Sequence, residues 1–390
     1  MKSIYAVHQG FELYGSDRVF IRTLQALRAE WPGARIHASI PAEGALADAL
    51  RSDGFDVSVD DIWVLRRSLG LKLPLKMLSL PAAMWRAWRR GAKADLVYIS
   101  TTVVLDHMLV APLWSGAVVV HAHELPTGAT STVLSGLIRW SRAAVVFISG
   151  ATEKAYSLGR HNRSRIVFNG HEGRTRVDAP GRRNAEPLRV LMIGRINDWK
   201  GQDLLVEAVS RLSGTEAENV EVKVLGDTFG GPASRDALMA QIQSSGLAGR
   251  FSIEGFVDDP SASYEWADVV AAPSRKPEPF GLIAIEAMSH SRPVIAAGHG
   301  GLVEIVENGK TGRLFEPNDA ASLADSLRAY IRDRSLVAAH GQAGRDRYER
   351  LFTAEAYGRA FTDFVRSTLP TGPSREVRGS LADAGAAQGA

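Results

Sequence analysis

Two cations, Arg195 and Lys200, follow a short apolar stretch in the sequence GRINDWKG at residues 194–201. The apolar stretch predicts a β-strand, so both cations flank a turn that leads into a helix. Cations beside a helix N-terminus form a receptor for a diphosphate. Solvated surface residues are the alternative interpretation, and this spacing alone leaves both open.

Two carboxylates lie further along, in SRKPEPFGLIAIE at residues 274–286. Glu278 belongs to a proline-containing loop, and Glu286 falls among the apolar residues of the helix that follows. A buried carboxylate needs hydrogen-bond donors, and the vicinal hydroxyls of a ribose are suitable ones. Glu278 lies where it can bind sugar hydroxyls. The alternative is a structural Glu286 bonded to backbone amides, with Glu278 facing solvent.

The elements that position these residues are short β-branched runs separated by helix-length segments, which predict parallel sheets with crossover helices. In such sheets ligands bind outside the carboxyl ends of the strands. We therefore expect an α/β fold of two tandem Rossmann-like domains. In the first half the predicted strands are residues 3–8, 95–100, 117–121 and 143–148; in the second half they are residues 188–193, 220–225, 251–255, 269–272, 293–296 and 313–315.

Composition sets the domain boundaries. Residues 173–186 are rich in Gly, Arg, Asp, Pro and Asn and are predicted to link a domain at 1–172 to one at 187–352. Residues 370–390 are rich in Gly, Ala, Ser and Pro, which predicts a disordered tail.

The chain of 390 residues is 45% hydrophobic and 23% charged, as in ordinary globular proteins. Its lack of cysteine excludes disulfides, thiolate metal sites and a cysteine nucleophile. The apolar run near the N-terminus is too short for a secretory signal, and no stretch is apolar for the ~20 residues of a spanning helix. We expect a cytoplasmic protein.

Charge is divided unevenly along the chain. Residues 1–185 contain 24 Lys and Arg against 15 Asp and Glu, whereas the rest contains 22 against 28. Residues 64–93 carry cations among Leu, Met and Trp and contain no acid. This pattern favours an anionic membrane surface over nucleic acid, because single-strand binders stack bases on aromatic rings and few are present here. A solvated helix packed by its apolar side is the alternative.

The spacing from Glu278 to Glu286, together with GRINDWKG upstream, resembles the retaining glycosyltransferases of family 4, which have the GT-B fold of two Rossmann-like domains facing a central cleft. The similarity extends from residue 188 to about residue 325 and is weaker in the first half. Further motifs that carry it are VLGD at 224–227, GFVDD at 255–259, HGGLVEIVENGKTGRLFEPND at 299–319, HQGFELYGSDRVF at 8–20, HAHELP at 121–126, FISGAT at 147–152 and FNG at 168–170.

The resemblance implies a role for each matching residue. Arg195 and Lys200 bind the donor diphosphate, Glu278 the transferred sugar and Glu286 the ribose, and His123 lies near the sugar. It implies that residues 353–369 form a helix that returns to the first domain. The remaining residues implied at the donor are Gly15, Ser16, Phe256, Val257, Phe280, Gly281 and Leu282. Asp17 is implied at the acceptor, and a favourable interaction with the helix dipole is the alternative. By residue type Ser16 is also a candidate N-cap of the helix.

The implied reaction transfers a sugar from a UDP-, GDP- or dTDP-linked donor to a glycan or lipid-linked acceptor in bacterial cell-surface synthesis, with retention. The sequence has no Asp-x-Asp motif, and two cations cover the diphosphate, so we expect neither a metal nor another cofactor. A nicotinamide dehydrogenase is disfavoured because no G-x-G-x-x-G follows an early strand. A catalytically silent nucleotide-sugar-binding protein is the alternative.

Overall fold

The computed structural model describes residues 1–65, 77–158, 163–174, 186–228 and 233–369. These form two α/β halves, each built on a fully parallel sheet. The predicted linker lies mainly, and the predicted tail entirely, outside the described residues. The predicted fold of two parallel-sheet, Rossmann-like domains is confirmed.

The strands of the N-terminal half are β1 (Ser3–Val7), β2 (Arg35–Ile40), β3 (Asp56–Val59), β4 (Leu96–Ile99), β5 (Ala117–Ala122), β6 (Ala144–Phe147) and β7 (Ser164–Ile166). Its helices are α1 (Gly15–Glu30), α2 (Ala45–Ser52), α3 (Leu80–Gly91), α4 (Leu105–Val110), α5 (Ala129–Ser141) and α6 (Gly150–Ala155), with a 3-10 turn at Ala111–Leu113. The sheet order is β3-β2-β1-β4-β5-β6-β7.

The strands of the C-terminal half are β8 (Leu188–Ile193), β9 (Val220–Leu225), β10 (Phe251–Glu254), β11 (Val269–Ala272), β12 (Val294–Ala297) and β13 (Gly312–Phe315). The helices are α7 (Gln202–Ser210), α8 (Gly214–Glu218), α9 (Ala233–Ser244), α10 (Ser261–Trp266), α11 (Leu282–Ser289), α12 (Leu302–Ile305), α13 (Ala320–Arg332), α14 (Ser335–Leu351) and α15 (Ala354–Thr368). The sheet order is β10-β9-β8-β11-β12-β13.

The two sheets share one topological feature that fixes where ligands can bind. In each, the strand order reverses beside the first strand, between β1 and β4 in one half and between β8 and β11 in the other. The central strands β4, β6, β11 and β12 are buried along their whole length, because helices cover both faces. Loops that leave β1, β8 and β11 are therefore the best placed to bind a ligand.

The chain crosses between the halves twice, and the crossings are hydrogen-bonded to each other. The backbone N–H of His171 donates to Phe352 (2.9 Å), and that of Ala354 donates to His171 (3.1 Å). Helix α15 then packs on α1, and Tyr357, Phe361, Phe364 and Val365 join the core of the N-terminal half. The last described helix thus belongs structurally to the half in which the chain begins.

Candidate functional site

The turn after β8 holds Arg195 and Lys200. The side-chain oxygen of Asn197 accepts hydrogen bonds from the backbone of Trp199 (3.0 Å) and Lys200 (3.1 Å), which fixes the turn. Gly201 ends it with a φ of 80° and lies against the Pro273 carbonyl, where a Cβ would clash. This position therefore requires glycine.

Lys200 and Glu278, which are 78 residues apart in sequence, form an ion pair. Lys200 Nζ lies 2.6 Å from Glu278 Oε1, and the Ser274 hydroxyl donates to the same oxygen at 2.6 Å. Both side chains are partly buried, with 31% and 13% exposed. The structure thus brings together the cation predicted at the diphosphate and the carboxylate predicted at the sugar.

The loop that carries Glu278 is supported from behind by residues 299–301. His299 Nε2 donates to the Ser274 carbonyl (2.8 Å), and the Gly301 N–H donates to the Glu278 carbonyl (2.8 Å). Gly300 has a φ of 62°, and a side chain there would collide with the Glu278 backbone. The sequence identified this glycine motif but not its task, which is to position the loop.

Phe280 packs in the core. Its ring is buried, 6.0 Å from the Phe168 ring and 6.2 Å from the Phe352 ring, in an aromatic cluster that joins the two chain crossings. Core packing takes the ring, so only the backbone of Phe280 is left for the predicted donor contact, which stays a prediction. Gly281, with a φ of 121°, precedes α11, and Leu282 begins that helix.

Glu286 differs in part from the prediction. Its side chain is 26% exposed rather than fully buried, and its carboxylate accepts a hydrogen bond from the Tyr264 hydroxyl (2.9 Å). Burial and this carboxylate raise the pKa of Tyr264 well above its ordinary value, so the hydroxyl stays a donor. Tyr264 was missed because nothing in its own segment, α10, marks it for a site.

The loop after β1 forms the opposite wall. Helix α1 begins at Gly15, and Tyr14 is its N-cap, so the expectation that Ser16 caps the helix is wrong; Ser16 is already helical. Asp17 is 3% exposed, and its carboxylate accepts from the Tyr14 N–H (2.9 Å) and pairs with His8 Nε2 (2.7 Å). These contacts favour a positioning role for Asp17 over direct contact with an acceptor.

His123 lies just after β5, within 4.1 Å (ring centroids) of His121. Burial, followed by the nearby His8, lowers the pKa of His123 from 6.5 to about 3, so the ring is neutral at physiological pH. Its Nε2 is buried and has no hydrogen-bond partner among the described residues. His121 Nδ1 lies 2.9 Å from the Tyr98 hydroxyl.

Contacts between the halves bring these walls together. The guanidinium carbon of Arg195 lies 4.1 Å from the centroid of the Tyr14 ring. A Cβ on Gly15 would approach a methyl of Leu282 to 2.8 Å. Glu304 on α12 accepts from the N–H groups of Gly150 (2.7 Å) and Ala151 (2.8 Å). The loop after β1 therefore touches both donor-side segments, and the Glu304 carboxylate adds two hydrogen bonds between the halves.

Phe256 and Val257 follow β10 and are exposed, at 60% and 39%. The strand end beside them is tied to the turn after β9, because the Gly226 N–H donates to the Glu254 carbonyl (3.2 Å). Two apolar side chains that the resemblance implies at the donor are thus open to solvent.

The basic segment 64–93 is described in part, since residues 66–76 lie outside the described residues. Trp85 and Trp88 on α3 are exposed. Arg86 pairs with Asp61 (2.8 Å) and Arg90 with Asp60 (2.7 Å), both acids from outside the segment. Two cations of the segment are therefore already paired within the protein, although the sequence pattern predicted them at an anionic membrane surface.

Among the described residues, no group of three or more His, Asp or Glu side chains is arranged to hold a metal ion, and no helix combines the length and apolarity needed to cross a membrane.

Comparison with known proteins gives partial matches in sequence. Residues 174–347 match the family described as Glycosyl transferases group 1. A D-inositol 3-phosphate glycosyltransferase of Geodermatophilus obscurus is 33% identical over 201 residues, which are 49% of this chain and 44% of that protein. The lipopolysaccharide core biosynthesis mannosyltransferase LpcC of Rhizobium leguminosarum is 34% identical over 149 residues, 38% of this chain and 42% of that protein. The chain thus spans less than half the length of these relatives.

Solved structures match along nearly the whole chain. Anabaena Alr3699/HepE, determined with UDP and glucose, has a TM-score of 0.76 and 24% identity and covers 93% of this chain and 99% of that one. Sucrose-phosphate synthase from Thermosynechococcus elongatus has a TM-score of 0.74 and 21% identity, over 94% and 99%. The chain has the GT-B fold, and the relatives of its sequence are glycosyltransferases.

Proposed function

We propose that the chain is a retaining glycosyltransferase of family 4 that moves a sugar from a nucleotide-diphosphate donor to a glycan or lipid-linked acceptor. The observation that carries the proposal is the Lys200–Glu278 ion pair at the strand-order reversal of the C-terminal sheet, with Arg195 in the same turn as Lys200. A diphosphate needs cations and a sugar needs hydrogen-bond acceptors, and this arrangement offers both within one small region.

In the proposed reaction the bond from the anomeric carbon to the donor phosphate breaks, and the bond to the acceptor oxygen forms on the same face. The acceptor proton passes to the departing phosphate, so no enzyme nucleophile is needed. Arg195 and Lys200 stabilise the charge that develops on the leaving group, which is commonly the largest catalytic contribution. Glu278 holds a sugar hydroxyl, and the buried, unpaired Nε2 of His123 supports a second sugar contact.

On the donor, Glu286 would bind the ribose with Tyr264 behind it, and Phe256 and Val257 would line the nucleobase surface. Gly281 and Leu282 would place backbone amides at the phosphate, and Gly15 and Ser16 would close over it. UDP is the first nucleotide to test, because a neighbour of the same fold was solved with it.

The test has two stages. The melting temperature of the protein is measured with UDP-, GDP- and dTDP-sugars, since only a ligand that binds the folded state raises it. The nucleotide sugar that raises the melting temperature is then assayed for transfer of its sugar to an acceptor and for hydrolysis. A sugar that stabilises the fold but is neither transferred nor hydrolysed supports the alternative, a catalytically silent binding protein. The absence of any shift contradicts both.

We further propose that a cytoplasmic, peripheral association with an anionic membrane brings the protein to a lipid-linked acceptor used in bacterial cell-surface synthesis. The support is on α3, where Trp85 and Trp88 are exposed and Arg89 lies over the Trp85 ring at 4.7 Å. Tryptophan and arginine on one helix face suit the headgroup layer of a bilayer.

Cosedimentation with vesicles tests this association. Binding should require anionic lipid, weaken with salt and fall in a variant with Arg89→Glu and Trp85→Ala. Arg350→Glu, an exposed charge reversal on α14, is the control and should bind normally. Equal binding to neutral vesicles, or none to either, contradicts the proposal.

A further inference from the structure

Tyr14, in the N-terminal half, contacts a donor-side cation. It precedes Gly15 as the N-cap of α1, and its ring lies 4.1 Å from the guanidinium carbon of Arg195. A cation this close to an aromatic ring is attracted by the negative charge on the ring face. The contact crosses from one half of the molecule to the other.

The backbone of Tyr14 is fixed independently of its ring. Its N–H donates to Asp17 Oδ2 (2.9 Å), and its carbonyl accepts from the Arg18 N–H (3.0 Å). Asp17 is held in turn by His8, which is fully buried. Gly10 covers this pair closely, since a Cβ there would clash with the Asp17 carboxylate. The backbone that carries the Tyr14 ring is therefore held in place by hydrogen bonds.

A guanidinium group can bind two partners at once, because an aromatic ring stacks on its face while its N–H groups donate along its edge. Stacking on Tyr14 involves the face of the Arg195 guanidinium, and phosphate oxygens would bind along its edge. It also reduces the number of conformations that the side chain loses when an anion binds.

We propose that Tyr14 is a positioning residue for Arg195: its ring holds the guanidinium in the orientation that binds the donor diphosphate and so couples donor binding to contact between the two halves. This inference rests on the proposed function. It predicts a ring-dependent contribution to diphosphate binding that disappears when Arg195 is absent.

The experiment is a double-mutant cycle on the full chain, with UDP, GDP and dTDP as probes and calorimetry and melting-temperature shifts as readouts. Tyr14→Ala should weaken binding of the nucleotide that binds wild type by about 3- to 30-fold. Tyr14→Phe should bind nearly as wild type, since it keeps the ring. The variant lacking both side chains should bind no worse than Arg195→Ala.

Additive losses from Tyr14→Ala and Arg195→Ala overturn the inference and leave the proposed donor site intact. A loss in Tyr14→Phe equal to that in Tyr14→Ala also overturns it, because the hydroxyl would then be responsible. If Arg195→Ala itself binds normally, the diphosphate site of the proposed function fails as well. Phe11→Ala, which removes another ring from the same loop, should show no coupling to Arg195→Ala. Unliganded melting temperatures establish that each variant folds.

Discussion

The two walls of the candidate site handle charge in opposite ways. On the C-terminal wall, Lys200 and Glu278 are charged residues that pair while partly exposed. On the N-terminal wall, His123 is kept neutral by burial, and Asp17 is buried against His8. We propose a division of labour in which the C-terminal wall supplies charged side chains to the diphosphate and the sugar, and the N-terminal wall supplies uncharged contacts. Each prediction below tests one side of that division.

The largest effect is expected from Lys200→Ala, which should lower turnover about 10²- to 10³-fold, because it removes a cation from a developing negative charge. Steady-state transfer assays measure it. Lys276→Ala is the matched control, since Lys276 pairs with Asp198 at the surface of the same region (2.6 Å). Turnover near that of wild type in Lys200→Ala would contradict the proposed role of the Lys200 charge on the C-terminal wall.

A smaller effect is expected from Glu286→Gln, which should weaken nucleotide binding about 10-fold, as expected for loss of hydrogen bonds to a charged group. A 2′,3′-dideoxy nucleotide should bind wild type and variant alike. Tyr264→Phe is the control for the hydrogen bond that Tyr264 donates to Glu286, because it removes that hydroxyl and keeps the ring stacked on His290 (4.7 Å). Equal discrimination by both proteins against the dideoxy nucleotide would show that Glu286 is only structural.

The N-terminal wall predicts a pH dependence of stability. The pKa of His123 is about 3 in the folded protein and 6.5 ordinarily, so the unfolded chain binds the extra proton between these values. The free energy of unfolding should therefore fall as the pH drops below 6.5 towards 3. His123→Gln should reduce this slope in urea titrations at pH 7 and pH 5. Other buried histidines, including His121 and His171, supply a background in the same direction. An unchanged slope would mean that His123 is not held neutral.

A chelator should leave the rate of transfer unchanged, which is the smallest effect expected. The reason is that side-chain cations of the C-terminal wall are proposed to stabilise the leaving group. Product analysis in the same assay should show the anomeric configuration of the donor. Activity that is lost in chelator and restored by a divalent cation, or a product of inverted configuration, would reject this part of the mechanism.

Much of the fold could be predicted because buried parallel strands are continuous apolar runs. Strands β8, β9 and β11 have the predicted bounds. Strands β2, β3 and β7 were not predicted. Strands β3 and β7 are the two edges of the sheet and contain exposed polar residues, and β2 contains Arg35 and His37, which interrupt its apolar run. Periodicity identifies strands that are buried on both faces better than it identifies edges.

The candidate site was predictable only where chemistry and sequence position coincide. Lys200 and Glu278 stand out in loops after strands, and the structure pairs them. Tyr14 and Tyr264 act on partners 181 and 22 residues away, respectively, so their segments alone carry no signal. Phe280 was assigned to the donor from the resemblance, and the packing of its ring in the core gave no signal in its own segment. Long-range contacts decided each of these cases.

The return of α15 to the N-terminal half has a consequence for biosynthesis. Four buried side chains of that helix complete the core around β1 and α1, although the ribosome makes them more than 320 residues after α1. The C-terminal half can collapse around its own sheet while the first half still exposes an apolar groove. The core of the first half is therefore completed only after α15 is made, so its apolar surface stays exposed longest during synthesis.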